Sequence, residues 1–300
     1  MKVINFGSLN LDNVYKTDHF VLAGETITAD SVIVNAGGKG LNQSIALSRA
    51  GAEVYHAGCL GKGGQMLRET LKSNGVDTSL IKDVDELQGN AIIQVNNEGE
   101  NCIILFGGSN RCITRKQIDE TIRKFDSGDY IILQNEVNCL KEIVDTASNN
   151  GLKIVLNPSP FDFALNSINW SKLDWIIINE VEAQHLMEEF LYQEDVVVAE
   201  NPKLFWEAAH DKWPDLNIVL TLGSHGAWAF TPREEVFQPS FKVDAVDTTA
   251  AGDTFTGYFF ASLMQNKPLS ECMRLAAKAS SIAVCRHGAA SSIPLSSEVF

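Results

Sequence analysis

The sequence predicts an α/β fold, a doubly wound three-layer sandwich carrying a small β-sheet lid, and three observations lead there. Short Val/Ile/Leu-rich runs recur along the 300 residues, and most end on a small or polar residue. Stretches with helical spacing separate them, and two strand-like regions break that alternation. Continuous apolar runs of this length suit strands buried on both faces of a parallel sheet. Alternation of strand and helix then winds helices over both of those faces.

In chain order, the strand-like runs are 3–6, 130–133, 154–156, 175–178 and 218–220. They lead into Gly7-Ser8, Gln134-Asn135-Glu136, Asn157-Pro158-Ser159, Asn179-Glu180 and Thr221-Leu222-Gly223. Helical spacing occupies 42–50, 66–74, 115–125 and 140–150, and the apolar run 254–264 suits a buried helix. Residues 25–34 and 89–106 have strand character with no helix between strands. The second region turns over at Asn96-Asn97-Glu98-Gly99-Glu100-Asn101, a hairpin tip between 91–95 and 102–106. A lid formed from about 10–35 and 88–108, standing on a single domain of residues 1–300, accounts for both. In open α/β sheets, ligands bind beyond the carboxyl ends of the strands. The polar residues that close the runs therefore gather at one candidate site.

Composition removes several classes of function. Hydrophobic residues make up 45% and charged residues 21%, as in a soluble globular protein. The net charge of −14 argues against a nucleic-acid partner or an anionic membrane surface. Any phosphate must be held by backbone N–H groups and one or two placed cations. No uncharged apolar run approaches the ~20 residues needed to span a bilayer, and residues 1–12 alternate apolar and polar residues where a secretory leader would have a basic end. The six cysteines stand too far apart for a C-x-x-C motif, so zinc is not supported. Scattered single cysteines fit a reducing, cytoplasmic setting.

Three constellations carry candidate chemistry. Asp247-Thr248-Thr249-Ala250-Ala251-Gly252-Asp253 runs into the buried-helix segment. Small residues entering a helix leave backbone N–H groups unpaired at the positive end of its dipole, an anion hole that needs no basic side chain. Asp253 at that helix start reads either as a reactive carboxylate or as a helix cap. The second is Asn35-Ala36-Gly37-Gly38-Lys39-Gly40-Leu41-Asn42-Gln43, which is neither a Walker A loop nor a dinucleotide fingerprint. Its backbone, Lys39 and Asn42 could grip a polyhydroxylated ligand, or it is a flexible turn with a solvated lysine. The third is Gly7-Ser8-Leu9-Asn10-Leu11-Asp12. Asn10 and Asp12 lie on one side of an extended chain, where an amide and a carboxylate suit sugar hydroxyls, although turn chemistry explains them equally.

These segments, in this order, resemble the ribokinase-like family of carbohydrate kinases. The match runs from Gly-Ser-x-Asn-x-Asp through Gly-Gly-Lys-Gly-x-Asn-Gln to Asp-Thr-x-Ala-Ala-Gly-Asp-Thr-Phe. It takes in Asn157-Pro158-Ser159-Pro160, Asn179-Glu180-Val181-Glu182, Thr221-Leu222-Gly223-Ser224-His225-Gly226 and Ile282-Ala283-Val284 through Pro294. The resemblance implies a Rossmann-like, ribokinase-like fold and phosphoryl transfer from ATP to a sugar hydroxyl. Asp253 looks like the general base, and Ala250, Ala251 and Gly252 like the anion hole for the moving phosphoryl group. Asn10, Asp12, Gly38, Lys39, Asn42 and Glu136 match sugar-holding positions, and within the family they favour D-ribose, giving ribose 5-phosphate. Asn179 and Glu182 match the pair that organises Mg2+ and the phosphates, while Thr221, Gly223, Ser224 and Gly226 match the nucleotide loop.

The resemblance further implies a K+ site at Asp247, Thr249, Ala283, Arg286, Gly288 and Ser292, mostly through backbone carbonyls. An oxygen cage with one carboxylate suits a large, weakly charged ion better than Mg2+. Lid strands with no covering helix leave open edges and an apolar face, and related kinases clasp two lids, so a homodimer is expected. The alternatives are a fructokinase-like or adenosine-kinase-like enzyme, or a non-catalytic sugar sensor. A sensor would be expected to have lost the base or the anion hole, and Asp253 and Gly252 are both present. Three departures stand out. The 61–64 loop is short and carries Lys62 where the family often has Asp, Ala277 replaces an Asn or His beside the adenine, and 187–213 matches poorly. That last segment, with Glu188, Glu189, Glu194 and Asp195, is assigned no function.

Overall fold

In a computed structural model, which describes residues 1–193 and 195–300, the chain opens with β1 (Lys2–Phe6), whose Val3, Ile4 and Phe6 are fully buried. It leaves the body as β2 (Asn10–Lys16), returns as β3 (Ser31–Gly37) and feeds α1 (Lys39–Arg49). Next come β4 (Glu53–Lys62), α2 (Gln65–Ser73) and β5 (Asp77–Leu87), then a second excursion of β6 (Asn90–Val95) and β7 (Asn101–Phe106). Alternation resumes with α3 (Arg115–Ile122), β8 (Tyr130–Gln134), α4 (Leu140–Asn149), β9 (Lys153–Asn157) and β10 (Trp175–Asn179). The helices α5 (Glu180–Leu191) and α6 (Pro202–Lys212) precede β11 (Asn217–Thr221). A hairpin of β12 (Ala227–Phe230) and β13 (Glu235–Gln238) leads to α7 (Ala251–Met264), α8 (Leu269–Ala283) and the short α9 (Ser296–Val299).

Nine strands form one sheet in the order β13-β12-β11-β10-β9-β8-β1-β4-β5, parallel from β11 to β5 with the hairpin antiparallel at one edge. Successive side chains point to opposite faces, so each buried strand feeds two cores. Ile131, Leu133, Ile176 and Ile178 pack with α3 to α6, whereas Ile132, Val155, Ile177 and Val219 pack with α1, α7 and α8. The strand order turns around at β1, between β4 and β8. Such a switch point opens a crevice at the carboxyl ends of the strands, here at Gly7-Ser8 and Gln134-Asn135-Glu136.

The two excursions join as a separate four-stranded sheet, β3-β2-β6-β7, as expected for a lid. Its root is pinned. Asn110 accepts from Leu9 N–H at 2.9 Å and donates to the Asn10 side chain at 2.7 Å, while Gln88 donates to the Leu9 carbonyl at 2.5 Å. Strand character expected from residue 25 begins only at Ser31, because the first β3 partner available is Lys16, the last residue of β2. Val32, Ile33, Ile103, Ile104 and Leu105 are exposed. Ile92 and Ile104 face each other across β6 and β7.

Segment 187–213 places Met187, Phe205, Trp206 and Trp213 in the core, a packing role; Glu194 lies outside the described residues. Gly61 and Lys62 end β4, where the Gly61 N–H donates to Gln88 and so ties this short loop to the root of the small sheet. Among the described residues, no helix is long and apolar enough to cross a membrane.

Candidate active site

Asp253 sits in the first turn of α7, after Ala250 in the left-handed conformation (φ 59°). Its carboxylate does not cap that helix. Oδ2 accepts from Asn42 Nδ2 at 3.0 Å and Oδ1 from Gln43 Nε2 at 2.9 Å, both on α1. The helices approach closely because Gly257 has no side chain, and a Cβ there would come 2.3 Å from Ala46 Cβ. Burial pushes the Asp253 carboxyl above the ordinary carboxylate range, against the pull of Lys39, Gln43 and Asn42. A carboxylate so placed can accept a proton from a hydroxyl.

Beside it lies the N-terminus of α7. The expected hole used the N–H groups of residues 250–252, but Ala251 N–H is taken by the Thr248 carbonyl at 3.2 Å. The groups left without an acceptor among the described residues are those of Ala250, Gly252 and Asp253. A Cβ built on Gly252 meets nothing within 4 Å, so the space above these donors is open to an anion.

The expected sugar-binding residues come together. Asp12 packs against Gly37, where a Cβ would fall 1.8 Å from Asp12 Oδ2. Its carboxyl is pushed up to about 7, first by burial and then by the charges of Glu136 and Asp253. Glu136 follows β8 and accepts from Lys39 N–H at 3.1 Å and from the Ser8 hydroxyl. Gly38, at φ 94°, supplies the turn that aims Lys39 inward. Burial works against the Lys39 ammonium, yet Asp253, Glu136 and Glu182 outweigh it and raise its pKa, so the charge is kept. The Asn42 Oδ1 is buried without a partner among the described residues, an acceptor suited to a ligand hydroxyl. Asn10 is spent partly on the lid root, through Asn110.

On the nucleotide side, Asn179 and Thr221 are cross-strand neighbours at the carboxyl ends of β10 and β11. Asn179 and Glu182 form a reciprocal capping box on α5: Glu182 N–H donates to Asn179 Oδ1 at 2.8 Å, and Asn179 N–H donates to Glu182 Oε2 at 3.2 Å. Their spacing therefore has a structural cause, and the charge of Glu182 also reaches Lys39. After β11, Gly223 (φ 53°), exposed Ser224 and Gly226 (φ 103°) form a tight turn closed by Leu222 N–H to the Gly226 carbonyl at 2.9 Å. Ala277 lies partly buried on α8.

Asp247 accepts from the N–H groups of Thr249 and Gly288, each at 2.9 Å, which ties the loop before α7 to the loop after α8. Burial raises its pKa, but these hydrogen bonds outweigh it and hold the carboxyl below the usual range. The Ala283 carbonyl accepts from Arg286 N–H at 3.0 Å, the Arg286 guanidinium pairs with Glu298, and the Ser292 hydroxyl donates to the Ala289 carbonyl at 2.8 Å. Both Asp247 oxygens, the Ala283 carbonyl and the Ser292 hydroxyl thus already have partners within the protein, and the Arg286 side chain is turned to Glu298.

Sequence reasoning did not assign a role to Ser8, Gln43, Asn110, Gln134 or Asn157, all within this hydrogen-bonded network. Four of them stand in, or at the end of, the very strings that were singled out. Amides and hydroxyls at the ends of buried strands were the available signal.

A buried carboxylate beside open N–H donors at the carboxyl edge of a parallel sheet is the equipment of a phosphotransferase. The model of the pfkB family of carbohydrate kinases matches residues 1–295, and the chain belongs to that family. It is an ATP-dependent sugar kinase. It is 33% identical to the ribokinase of Haemophilus influenzae over 299 residues, covering 97% of this chain and 95% of that protein. It is 28% identical to the deoxyribokinase of Salmonella typhimurium over 302 residues, covering 98% and 96%. Among solved structures, Thermotoga maritima ribokinase matches with TM-score 0.87 at 32% identity, covering 100% of this chain and 98% of that one. The ribokinase of Cryptococcus neoformans in complex with ADP matches with TM-score 0.85 at 32% identity, covering 99% and 98%. Arabidopsis thaliana ribokinase complexed with ribose and ATP matches with TM-score 0.83 at 28% identity, covering 99% and 97%.

Proposed function

We propose that this kinase transfers the γ-phosphoryl group of ATP to D-ribose, forming ribose 5-phosphate. The observation that carries the reading is the convergence of Asp12, Lys39, Asn42 and Glu136 on Asp253 in one buried polar cleft. Asn10, Asp12, Gly38, Lys39, Asn42 and Glu136 hold the sugar. Asp253 takes the proton of the attacking hydroxyl. The N–H groups of Ala250, Gly252 and Asp253 receive the charge that develops on the transferring group. Thr221, Gly223, Ser224 and Gly226 hold the nucleotide. Asn179 and Glu182 organise Mg2+, which neutralises phosphate charge when bound.

A K+ ion among Asp247, Thr249, Ala283, Arg286, Gly288 and Ser292 would stiffen the loop that leads into the anion hole. Its supports are the carboxylate of Asp247 and the tie between the two loops. The exposed aliphatic residues of β3 and β7 support pairing of two lids into a homodimer. A cytoplasmic location goes with an ATP-consuming reaction on a free sugar. A coupled assay of ADP release over pentoses, deoxyribose, hexoses and nucleosides tests the substrate. Ribose among the best substrates is the expected result; a clear preference for deoxyribose or a nucleoside would sink the ribose reading and leave the kinase standing.

A further inference from the structure

Beneath the cleft lies a run of four amide side chains, three of them buried and the fourth, Asn157, partly exposed. Asn5 and Gln43 are fully buried and Gln134 is 1% exposed. Asn5 Nδ2 donates to the Gly40 carbonyl at 3.0 Å, and Gln134 Nε2 donates both to Asn5 Oδ1 at 3.1 Å and to Gln43 Oε1 at 2.6 Å. Gln43 Nε2 donates both to Asn157 Oδ1 at 3.1 Å and to Asp253 Oδ1 at 2.9 Å. Asn157 Nδ2 closes the run by donating to the Ile177 carbonyl at 2.9 Å.

The direction of this run is fixed by chemistry. A backbone carbonyl can only accept, so Gly40 and Ile177 force the amide nitrogens of Asn5 and Asn157 outward and their oxygens inward. Gln134 and Gln43 must then spend both N–H groups as donors. Rotating the Gln43 amide by half a turn would set its oxygen against Asp253 Oδ1 and its nitrogen against Gln134 Nε2, two contacts between like groups. One polarity keeps every donor–acceptor contact of the run, leaving only Gln134 Oε1 without a partner among the described residues, and its last N–H points at Asp253.

We infer that Gln43, oriented by Gln134, Asn5 and Asn157, is a positioning residue that fixes the plane of the Asp253 carboxylate and keeps the proton off it until substrate arrives. Asn42 holds the other oxygen, so what acceptor capacity remains on Asp253 is left for the cleft. The charged groups around Asp253 pull in different directions. Burial disfavours its ionised form and Lys39 on α1 favours it, while Asp12 on β2 is itself pushed toward its protonated form by burial, Glu136 and Asp253. Glu136 after β8 and Glu182 on α5 act on the same Lys39. The amide run supplies a contribution that does not depend on the ionisation of any of these groups.

The inference rests on Asp253 being the base, and the test separates the two ideas. The protonated carboxyl of Asp253 is followed by its infrared C=O stretch across a pH titration, with Asp253→Asn assigning the band. A hydrogen bond to a charged group is strong enough that its loss should move this titration up by about one pH unit in Gln43→Met. A smaller upward shift is expected in Gln134→Met, whose side chain does not touch Asp253. In Gln43→Met, the acid limb of the kcat–pH profile should move up together with the infrared titration, with KM for ATP within about twofold. If Gln43→Met fails to fold, Gln134→Met carries the test alone. A band that titrates as in the unaltered protein in the folded variants overturns the inference. Full activity in Asp253→Asn would remove Asp253 as base, yet the infrared titration would still decide what the amides do.

Discussion

Asn42 donates from Nδ2 to Oδ2 of Asp253 at 3.0 Å, joining side chains 211 positions apart in the chain. One comes from the first helix of the body and the other from the seventh, so this buried carboxylate is held by a group at the far end of the sequence.

Asp253→Asn keeps the shape of the side chain and removes its basicity. Turnover should fall by on the order of 10²–10⁴, while ATP affinity measured by calorimetry stays within a few-fold. Undiminished turnover would take Asp253 out of the chemistry.

Gly252→Ala separates stability from activity. The added methyl meets nothing within 4 Å in the folded protein, and alanine is the better helix former. The melting temperature should hold or rise, by an amount corresponding to up to ~1 kcal/mol. The same methyl occupies the space above the N–H donors, so kcat should drop at least about tenfold if one anion-hole interaction is impaired. A variant that is both more stable and fully active would place the phosphoryl group elsewhere.

Asp12 makes stability depend on pH in a stated direction. Its folded-state carboxyl titrates at about 7 against an ordinary 3.8, because burial and then Glu136 and Asp253 disfavour its charge. A raised carboxyl binds its proton more tightly in the folded state. Its contribution is fully present below the ordinary value and is lost as pH rises through about 7. The melting temperature of the protein relative to Asp12→Asn should therefore decline between pH 4 and pH 8, and a difference that is flat or rises would contradict the assignment.

Replacing K+ by a bulky organic cation at constant ionic strength should lower turnover several-fold, with the loop from Asp247 to Ala250 losing protection in hydrogen exchange. Indifference in both measurements would leave Asp247 as a purely structural acceptor for Thr249 and Gly288.

Light scattering at micromolar concentration should give the mass of a dimer, and Ile33→Glu combined with Ile104→Glu should give a monomer. A protein that is already monomeric before substitution would remove the clasped-lid reading.

Much of the body was legible because β1, β8, β9, β10 and β11 are short, largely apolar runs buried on both faces, whereas β4, also interior to the sheet, was missed because His56, Gly58 and Gly61 break up its apolar run. β5 was harder to read, since Asp77–Leu87 lies at the sheet edge and buries few residues, among them Thr78, Leu80 and Ile81. The β12–β13 hairpin was missed because each strand has only four residues, too few for a periodic signal, and β13 at the opposite edge buries little. At the site, Asp253, Lys39 and Glu136 were readable because they stand at element ends in distinctive strings. The work of Gln43 and Gln134 was not, since an amide declares its role only through the partner it meets. The same holds for the Ala251 N–H, which a turn to Thr248 removes from the anion hole.

The pinning of Leu9 by Asn110 and Gln88 makes that residue an axle for the small sheet. At ~3.3 Å per residue along a strand, Asp12 lies roughly 10 Å from the axle and Lys16 roughly 23 Å. Any tilt of the sheet thus sweeps its far end more than twice as far as the carboxylate in the cleft. With Asp12 as a sugar ligand, as proposed, a tilt that clears the rim for an entering sugar would displace that contact far less than the rim itself.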